Sequence, residues 1–397
     1  MCFKEERYVP IPYLEVGKMI SQGDQTVYSP VSLLVLLASL LGAKAPQGDT
    51  EEELLHGFLE LQDGLKFNLT SFQHGESYVL ESIQGVDCNL KKQELVEEPL
   101  ISGLFPPKFC LANSMLVLDQ FHSSIKPEFI DKMTNEYKFQ FTTFSKYARQ
   151  EAVDRVNTWV SENTGGMVNK LLDNIPWATV MMLINTIHFK GLWRTQLSRQ
   201  YTGESAKFRL KDGQEFTTKM IGTEESFPYY TDERLNWRIL NLPFWNDDQY
   251  AFLVFLPVRR YEDVLMPLNA EDYSRIVRKM KDKYVDVRIP KFRVESKHDF
   301  VPMLQDFGVR ELFTDKANLT GIGEALRVSN IEQVAVLELN ENGLEASAAT
   351  SMGFMLTSIR NTDPPITFYC DQPFSFVLYD KKRDKVLFIG RYNKPTN

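Results

Sequence analysis

Residues 341–353 read Glu-Asn-Gly-Leu-Glu-Ala-Ser-Ala-Ala-Thr-Ser-Met-Gly, and this stretch of small side chains is the most informative part of the chain. It follows residues 334–340, an apolar run typical of a strand. Successive side chains of a strand face opposite sides, so Leu344 and every second residue after it would face a core, while Glu345 and its set would face water. Alanine, however, favours helix over strand. The composition suits a segment that is exposed in one state and joins a sheet in another, but also an ordinary exposed connector.

The chain beyond this stretch indicates a long loop between strands. Residues 354–365 are mixed and turn-rich, and strand-like runs follow at 366–369, 374–379 and 386–392. Proline, which would remove a hydrogen bond from a strand ladder, does not occur in the loop before Pro364. Long loops between strands near the end of a compact domain usually carry function. We therefore expect residues 341–365 to be functional.

Short motifs along the whole chain resemble those of the serpin family. A single tetrapeptide would carry little weight, but the whole series occurs in family order and at family spacing. The motifs are Tyr28-Ser-Pro-Val-Ser32, Val156-Asn-Thr-Trp-Val160, Asn163-Thr-Gly-Gly166, Asn185-Thr-Ile-His-Phe-Lys-Gly-Leu-Trp193, Leu242-Pro-Phe-Trp245, Val254-Phe-Leu-Pro257, Pro290-Lys-Phe292, Phe307-Gly308, Gln372-Pro-Phe374 and Leu387-Phe-Ile-Gly390.

The resemblance implies an α+β fold with three β-sheets, eight or nine helices and an exposed reactive-centre loop at about 341–365. We expect one domain over residues 1–397, because the matches run from 28 to 395 with no linker or repeat between them. The resemblance implies a monomer that inhibits serine proteases as a suicide substrate, with a non-inhibitory carrier or chaperone as the alternative. In the inhibitory mechanism that the resemblance implies, the loop would be attacked as a substrate, form an acyl-enzyme and then insert into the large sheet, so that the trapped protease could not complete hydrolysis.

The resemblance also assigns roles to individual positions. Two of them depart from the family pattern: Gln333 stands where many members have histidine, and Leu344 where inhibitory members usually have threonine. Leucine can be buried whereas a charge could not, so we expect inhibition to survive with slower insertion, which would bury Leu344 and Met352. The implied hinge comprises Glu341, Gly343, Leu344, Glu345, Ala346, Ser347, Ala348, Ala349 and Thr350, with 344–349 inserting. The polar cluster over which the central strands part comprises Ser29, Ser32, Asn185 and Gln333, and the breach above it comprises Trp193 and Lys291, with Lys291 the partner of Glu341.

The position of the scissile bond is open between two counts. The usual loop length from Glu341 points to Thr357-Ser358, whereas counting back from 368–374 points to Arg360-Asn361. Hinge length governs whether the protease is distorted, so we favour Thr357. This residue suits elastase- or chymotrypsin-like pockets, whereas Arg360 would suit a trypsin-like pocket with its buried aspartate.

Composition excludes several other classes of protein. The chain has 397 residues, 43% of them hydrophobic and 12% aromatic, which is not a disordered composition. A net charge of −8 argues against general nucleic-acid binding. The longest apolar run, residues 31–43, is too short to span a membrane and indicates a buried helix. No secretion signal is visible, so secreted and cytosolic locations both stay open.

The sequence shows no catalytic constellation and predicts no cofactor or metal. GxSxG, HExxH, Walker and CxxC patterns are absent. The four cysteines (Cys2, Cys88, Cys110 and Cys370) could pair in three ways, and free thiols are the default expectation because no signal is visible. The sequons at Asn68 and Asn318 would matter only in a secreted protein.

Basic side chains gather between residues 275 and 283 of the chain. Asp282 and Asp286 interrupt this group, which favours a solvated charged face over a heparin-like polyanion site. Residues 91–98, where such family sites commonly lie, hold two lysines and three glutamates. The group consists of Arg275, Arg278, Lys279, Lys281 and Lys283.

Overall fold

The computed structural model describes residues 24–64, 107–201, 203–233, 236–259, 270–344 and 364–395. These ranges contain α1 Pro30–Gly42, α2 Asp49–Gly64, α3 Pro127–Asp131, α4 Arg149–Asn163, α5 Ala270–Lys279 and α6 Val301–Asp306. The strands are β1 Gln25–Tyr28, β2 Lys108–Leu118, β3 Gln140–Phe144, β4 Met181–Leu192, β5 Arg199–Tyr201, β6 Lys207–Arg209, β7 Glu215–Thr217, β8 Met220–Asp232, β9 Trp237–Leu242, β10 Tyr250–Pro257, β11 Lys281–Pro290, β12 Phe292–Asp299, β13 Val328–Leu339, β14 Gly343–Leu344, β15 Ile366–Tyr369, β16 Phe374–Asp380 and β17 Lys385–Tyr392.

The strands form three sheets, which confirms the predicted α+β class. A nine-stranded sheet has the order β1-β17-β16-β10-β9-β8-β11-β15, with β5 paired to β8. A six-stranded sheet has the order β12-β13-β14-β4-β2-β3, and β6 pairs with β7 in a small third sheet. The predicted number of helices stays a prediction, because part of the chain lies outside the described residues.

Helix α1 is the buried helix that the apolar run predicted. Ser29 caps its first turn by accepting a hydrogen bond from the Ser32 amide at 3.4 Å, and Pro30 occupies a position where no amide proton is needed. Its residues are buried from Pro30 to Leu41, as expected for a helix that is apolar on all sides. Among the described helices, none is both long and apolar enough to cross a membrane.

The two faces of the six-stranded sheet pack against different layers. Leu183 and Ile187 of β4 belong to the main core, which also contains α1. Met182 and Ile184 instead pack in a second cluster with α4 and the segment that follows it. The alternation along β4 therefore identifies a core face, carrying odd-numbered residues, and an α4 face, carrying even-numbered ones.

A seam between β4 and β13 runs along the middle of this sheet. The two strands are parallel and pair directly from Val328 opposite Met181 to Val336 opposite His188. Above this point the short strand β14 lies between them, antiparallel to both. We call the end of the sheet where β4 and β13 finish the upper pole, and the end where they begin the lower pole.

Strand β13 begins earlier than the apolar run at 334–340 predicted. Its first half is rich in polar residues and so lacks a clear apolar pattern. The polar side chains are used within the fold: the Ser329 hydroxyl accepts a hydrogen bond from the Val180 amide at 2.9 Å, and Gln333 is completely buried in the cluster described below. The strand-like runs near the C-terminus correspond to β15, β16 and β17.

Candidate functional site

The turn that leads from β13 into β14 is held by hydrogen bonds from several directions. The Asn340 side chain accepts from the backbone amides of Asn342 at 2.9 Å and Gly343 at 3.3 Å, an Asx-type turn. The Trp193 indole donates to the Asn340 carbonyl at 3.0 Å. Its ring stacks on Phe244 with the centroids 5.1 Å apart. The end of β4 therefore fixes the start of the loop.

Gly343 and Leu344 already lie inside the upper end of the seam. Gly343 pairs with Leu192 and Leu344 with Gly191 across the β4–β14 ladder. A Cβ atom on Gly343 would meet the Gly191 carbonyl oxygen at 2.0 Å, so only glycine permits this approach. Leu344 has no exposed surface and packs in the main core. The expectation that Leu344 becomes buried only upon insertion is therefore wrong, because pairing with β4 has already carried it to the core face.

Glu341 forms an ion pair at the top of the turn. The Lys291 ammonium lies 2.9 Å from the Glu341 carboxylate. Partial burial opposes ionisation of Glu341, but a backbone amide and Lys291 stabilise the carboxylate, and the pKa of Glu341 is below its usual range. Both side chains are partly exposed, so we attribute only a small stabilisation to this pair.

A buried polar cluster lies beneath the seam, where β4 and β13 meet the start of α1. The Gln333 side-chain amide donates to the Ser29 carbonyl at 3.2 Å, to the Ser32 hydroxyl, and to the Asn185 side chain at 3.2 Å. Its oxygen accepts from the Ser29 amide at 3.0 Å. Asn185 in turn donates to Asn113 of β2 at 2.7 Å. One side chain therefore ties both strands of the seam to α1, and the two nitrogens of a histidine ring could not make the same set of bonds.

Replacing Gln333 with leucine should lower the thermal midpoint of the intact protein by about 3 °C. The change leaves the buried Ser29 amide and the Asn185 side-chain oxygen without a hydrogen-bond partner, which lowers the free energy of unfolding by about 2–3 kcal/mol. Differential scanning calorimetry at one scan rate measures the shift. The matched control is Gln150→Leu on the exposed side of α4, which should leave the midpoint unchanged. Equal midpoints for the Gln333 variant and the parent would contradict a holding role for the cluster.

Three residues of this region were not found from the sequence. Asn113 extends the polar cluster to β2, Asn340 shapes the turn, and Gly191 allows the close approach of Gly343. The Asn340-x-x-Gly343 spacing was a usable turn signal. Nothing in the local sequence indicated Asn113, because its contact depends on strand register.

The remaining predicted positions are only partly described. Of the four cysteines, Cys110 and Cys370 are buried, and burial raises the pKa of the Cys370 thiol, which makes it a poor nucleophile. Within the described ranges, no three His, Cys, Asp or Glu side chains gather closely enough to hold a metal ion. The predicted positions outside the described residues are Glu345, Ala346, Ser347, Ala348, Ala349, Thr350, Met352, Thr357, Ser358, Arg360, Asn361, Cys2, Cys88 and Asn68.

The basic group after residue 275 is divided between α5 and β11. Arg275 forms ion pairs with Asp232 at 3.0 Å and with Asp272 at 2.9 Å. These acidic partners neutralise part of the positive charge that a polyanion would need. The expectation of a solvated charged face stays a prediction.

Comparison with known protein sequences gives one family over almost the whole chain. A family model described as serpin, serine protease inhibitor, matches residues 14–395. The leukocyte elastase inhibitor of Sus scrofa is 30% identical over 308 residues, which cover 72% of this chain and 77% of that protein. Serine proteinase inhibitor 2.4 of Apodemus sylvaticus is 29% identical over 375 residues, covering 93% of this chain and 83% of that protein.

Solved structures share the fold. Human thyroxine-binding globulin complexed with thyroxine superimposes with a TM-score of 0.77 at 20% identity, covering 98% of both chains. A serpin from the trematode Schistosoma haematobium gives a TM-score of 0.75 at 22% identity, covering 97% of this chain and 98% of that one. Likeness at this level of identity concerns the fold alone.

Proposed function

Because this chain belongs to the serpin family, we propose that it inhibits serine proteases by presenting residues 341–365 as a substrate and trapping the acylated protease. The protease serine attacks the scissile carbonyl, the peptide bond breaks, and an ester to the serine replaces it while the new amino terminus departs. Insertion of the freed loop into the seam then carries the protease away before water can hydrolyse the ester. The chain is an inhibitor in this scheme and catalyses nothing itself.

The observation that carries the proposal is the position of β14. Gly343 and Leu344 already occupy the seam between β4 and β13, and below them no strand of the described chain lies between these two, which pair directly along the seam. A strand that continues from Leu344 has a path between them once the direct pairs separate. Parting the strands breaks the 3.2 Å bond between Gln333 and Asn185, so the polar cluster resists opening until insertion compensates for the loss.

The register of β14 predicts where each inserted residue would lie. Leu344 faces Gly191 in an antiparallel ladder, so each step forward along the loop is one step back along β4. Ala348 would then face Ile187, a fully buried core residue, and Glu345 would face Lys190 on the α4 side. The small side chains that follow Leu344 suit this path, because they pass between two packed strands without displacing bulky neighbours.

The same register favours the bond after Thr357 as the one that is cut. Ten residues beyond Leu344 lies Phe354, opposite Met181, the first residue of β4. Thr357 would lie opposite Ala178, just past the lower end of the strand. Cleavage after Arg360 would place three further residues between the inserted strand and the acyl ester. The protease would then be pressed less tightly against the pole, and hydrolysis of the ester would compete with its distortion. We therefore propose elastase- or chymotrypsin-like proteases as targets, with a trypsin-like target through Arg360 as the alternative.

Incubation with elastase, chymotrypsin and trypsin tests the proposal directly. A complex that survives a denaturing gel is expected with elastase or chymotrypsin, because the acyl ester is covalent. Mass spectrometry of the released C-terminal peptide should give a fragment starting at Ser358. A stable complex that releases a peptide starting at Asn361 would select Arg360 instead. If all three proteases merely cleave the loop and none is trapped, the chain is not an inhibitor.

Arg360→Ala is the matched variant for this experiment. It should leave trapping of elastase intact while protecting the loop from trypsin, because no other basic side chain lies between Glu341 and Lys381. Loss of elastase trapping in this variant would contradict cleavage after Thr357.

A second candidate function is that of a non-inhibitory carrier. The likeness to a globulin solved with thyroxine keeps this class in view, although that likeness concerns the fold alone. The small residues at 346–350 favour inhibition, because a carrier has no need of a loop that can insert. The gel experiment separates the two classes.

A further inference from the structure

Two large aromatic side chains stand in solvent at the lower pole. Tyr147 is 84% exposed and Trp177 is 73% exposed. Tyr147 follows the end of β3, and Trp177 precedes the start of β4. Both strand ends lie at the lower pole, since β3 runs parallel to β2 and β2 runs antiparallel to β4. Tyrosine and tryptophan are enriched in protein interfaces, so two such rings standing in solvent at the same pole are candidates for a binding contact.

Arg149, the first residue of α4, ties the Trp177 segment to the end of β3. The Arg149 guanidinium stacks on the Trp177 ring at 4.9 Å and on Phe144 at 5.3 Å. It also donates to the backbone carbonyls of Pro176 at 2.8 Å and Trp177 at 2.9 Å. The Lys146 ammonium lies 4.9 Å from the centre of the Tyr147 ring. The Trp177 ring, held against Arg149, loses little conformational freedom when a partner covers it.

If the loop inserts in the register that β14 begins, it would carry the acylated protease to this corner of the lower pole. If the loop is inserted to Thr357, its last residue faces Ala178, the neighbour of Trp177. The acyl ester to the protease would be made by that residue. In the proposed scheme the protease would therefore be delivered to the lower pole, next to Trp177.

We propose that Tyr147, Arg149 and Trp177 form a contact surface for the body of the trapped protease, which holds it against the lower pole after loop insertion. The inference rests on the proposed function. Tryptophan, tyrosine and arginine are the residue types that contribute most often to binding at the centres of protein interfaces. The contact would be made only in the final complex, because before cleavage the loop base lies at the upper pole. It would slow release of the protease without affecting capture.

The test compares the lifetimes of purified covalent complexes. Wild type and the double variant Tyr147→Ala/Trp177→Ala are each reacted with the elastase or chymotrypsin that the gel experiment identifies. Reappearing protease activity is then followed over days. We expect the double variant to release active protease about tenfold faster, with the rate of complex formation unchanged. Removing the Trp177 ring leaves its carbonyl in place, so the bonds from Arg149 persist and the fold is preserved.

Two further variants complete the test. Trp177→Phe should restore most of the lifetime, and Val258→Ser, at a 44% exposed valine beyond β10 in the nine-stranded sheet, should match wild type. Equal release from the double variant and wild type would overturn the proposal. So would sedimentation showing that the rings only join two copies of the free chain. A wild type that forms no complex would instead overturn the proposed function itself.

Discussion

Replacing Ala348 with arginine should turn the protein from an inhibitor that retains its protease into an ordinary substrate that is cleaved and released. The register places residue 348 opposite Ile187 on the core face of the seam. Burying an unpaired guanidinium there costs several kcal/mol, and about 3 kcal/mol already slows insertion by roughly 100-fold. Water would then hydrolyse the acyl ester before the loop has inserted. Titration of the target protease should show that the ratio of cleaved to trapped variant molecules is about a hundredfold higher than for wild type.

The matched control places the same arginine on the other side of the inserted strand. Glu345 would face the half-buried Lys190, on the face that already accepts a charged side chain in the native sequence. Glu345→Arg should therefore retain most of the trapping, with a modest loss because two basic side chains are brought together. If both variants fail equally, the strand does not continue in the register that Leu344 begins.

Cleavage of the loop should raise the thermal midpoint by roughly 12 °C. An inserted strand of about ten residues adds about ten net ladder hydrogen bonds, worth about 10 kcal/mol at about 1 kcal/mol each. The unfolding entropy is about 2.1 cal/mol/K per residue, so for 397 residues this free energy corresponds to a shift of roughly 12 °C in the thermal midpoint. Leu344 adds nothing to the gain, because it is buried before cleavage. Calorimetry before and after limited proteolysis measures the difference.

The cleaved Ala348→Arg variant is the control for this measurement. Its loop is cut in the same place, but its insertion is blocked at residue 348, so its midpoint should rise by much less. Proteins usually lose stability when a peptide bond is cut, since the unfolded chain gains freedom. A midpoint that falls or stays constant in the wild type would mean that the loop does not enter the seam.

Much of the fold followed from local sequence patterns. The apolar run at 31–43 predicted α1, and the runs near the C-terminus predicted β15, β16 and β17. The ordered motifs predicted the family, which the match over residues 14–395 confirms. These predictions were possible because burial and strand alternation depend on side chains that are close together in the chain. The same reasoning missed the first half of β13, whose polar residues are satisfied by distant partners.

Apart from the turn at Asn340-x-x-Gly343, the candidate site depended on contacts that no local pattern records. The sequence by itself determined the family, the small-residue loop and the amide at Gln333. Only the tertiary structure decided that Leu344 is already buried, that Asn113 joins the polar cluster, and that Trp177 stands exposed where the seam ends. Each of these depends on strand register and on close packing between segments far apart in the chain. A shift of one residue in that register would exchange the two faces of the strand without changing the sequence pattern.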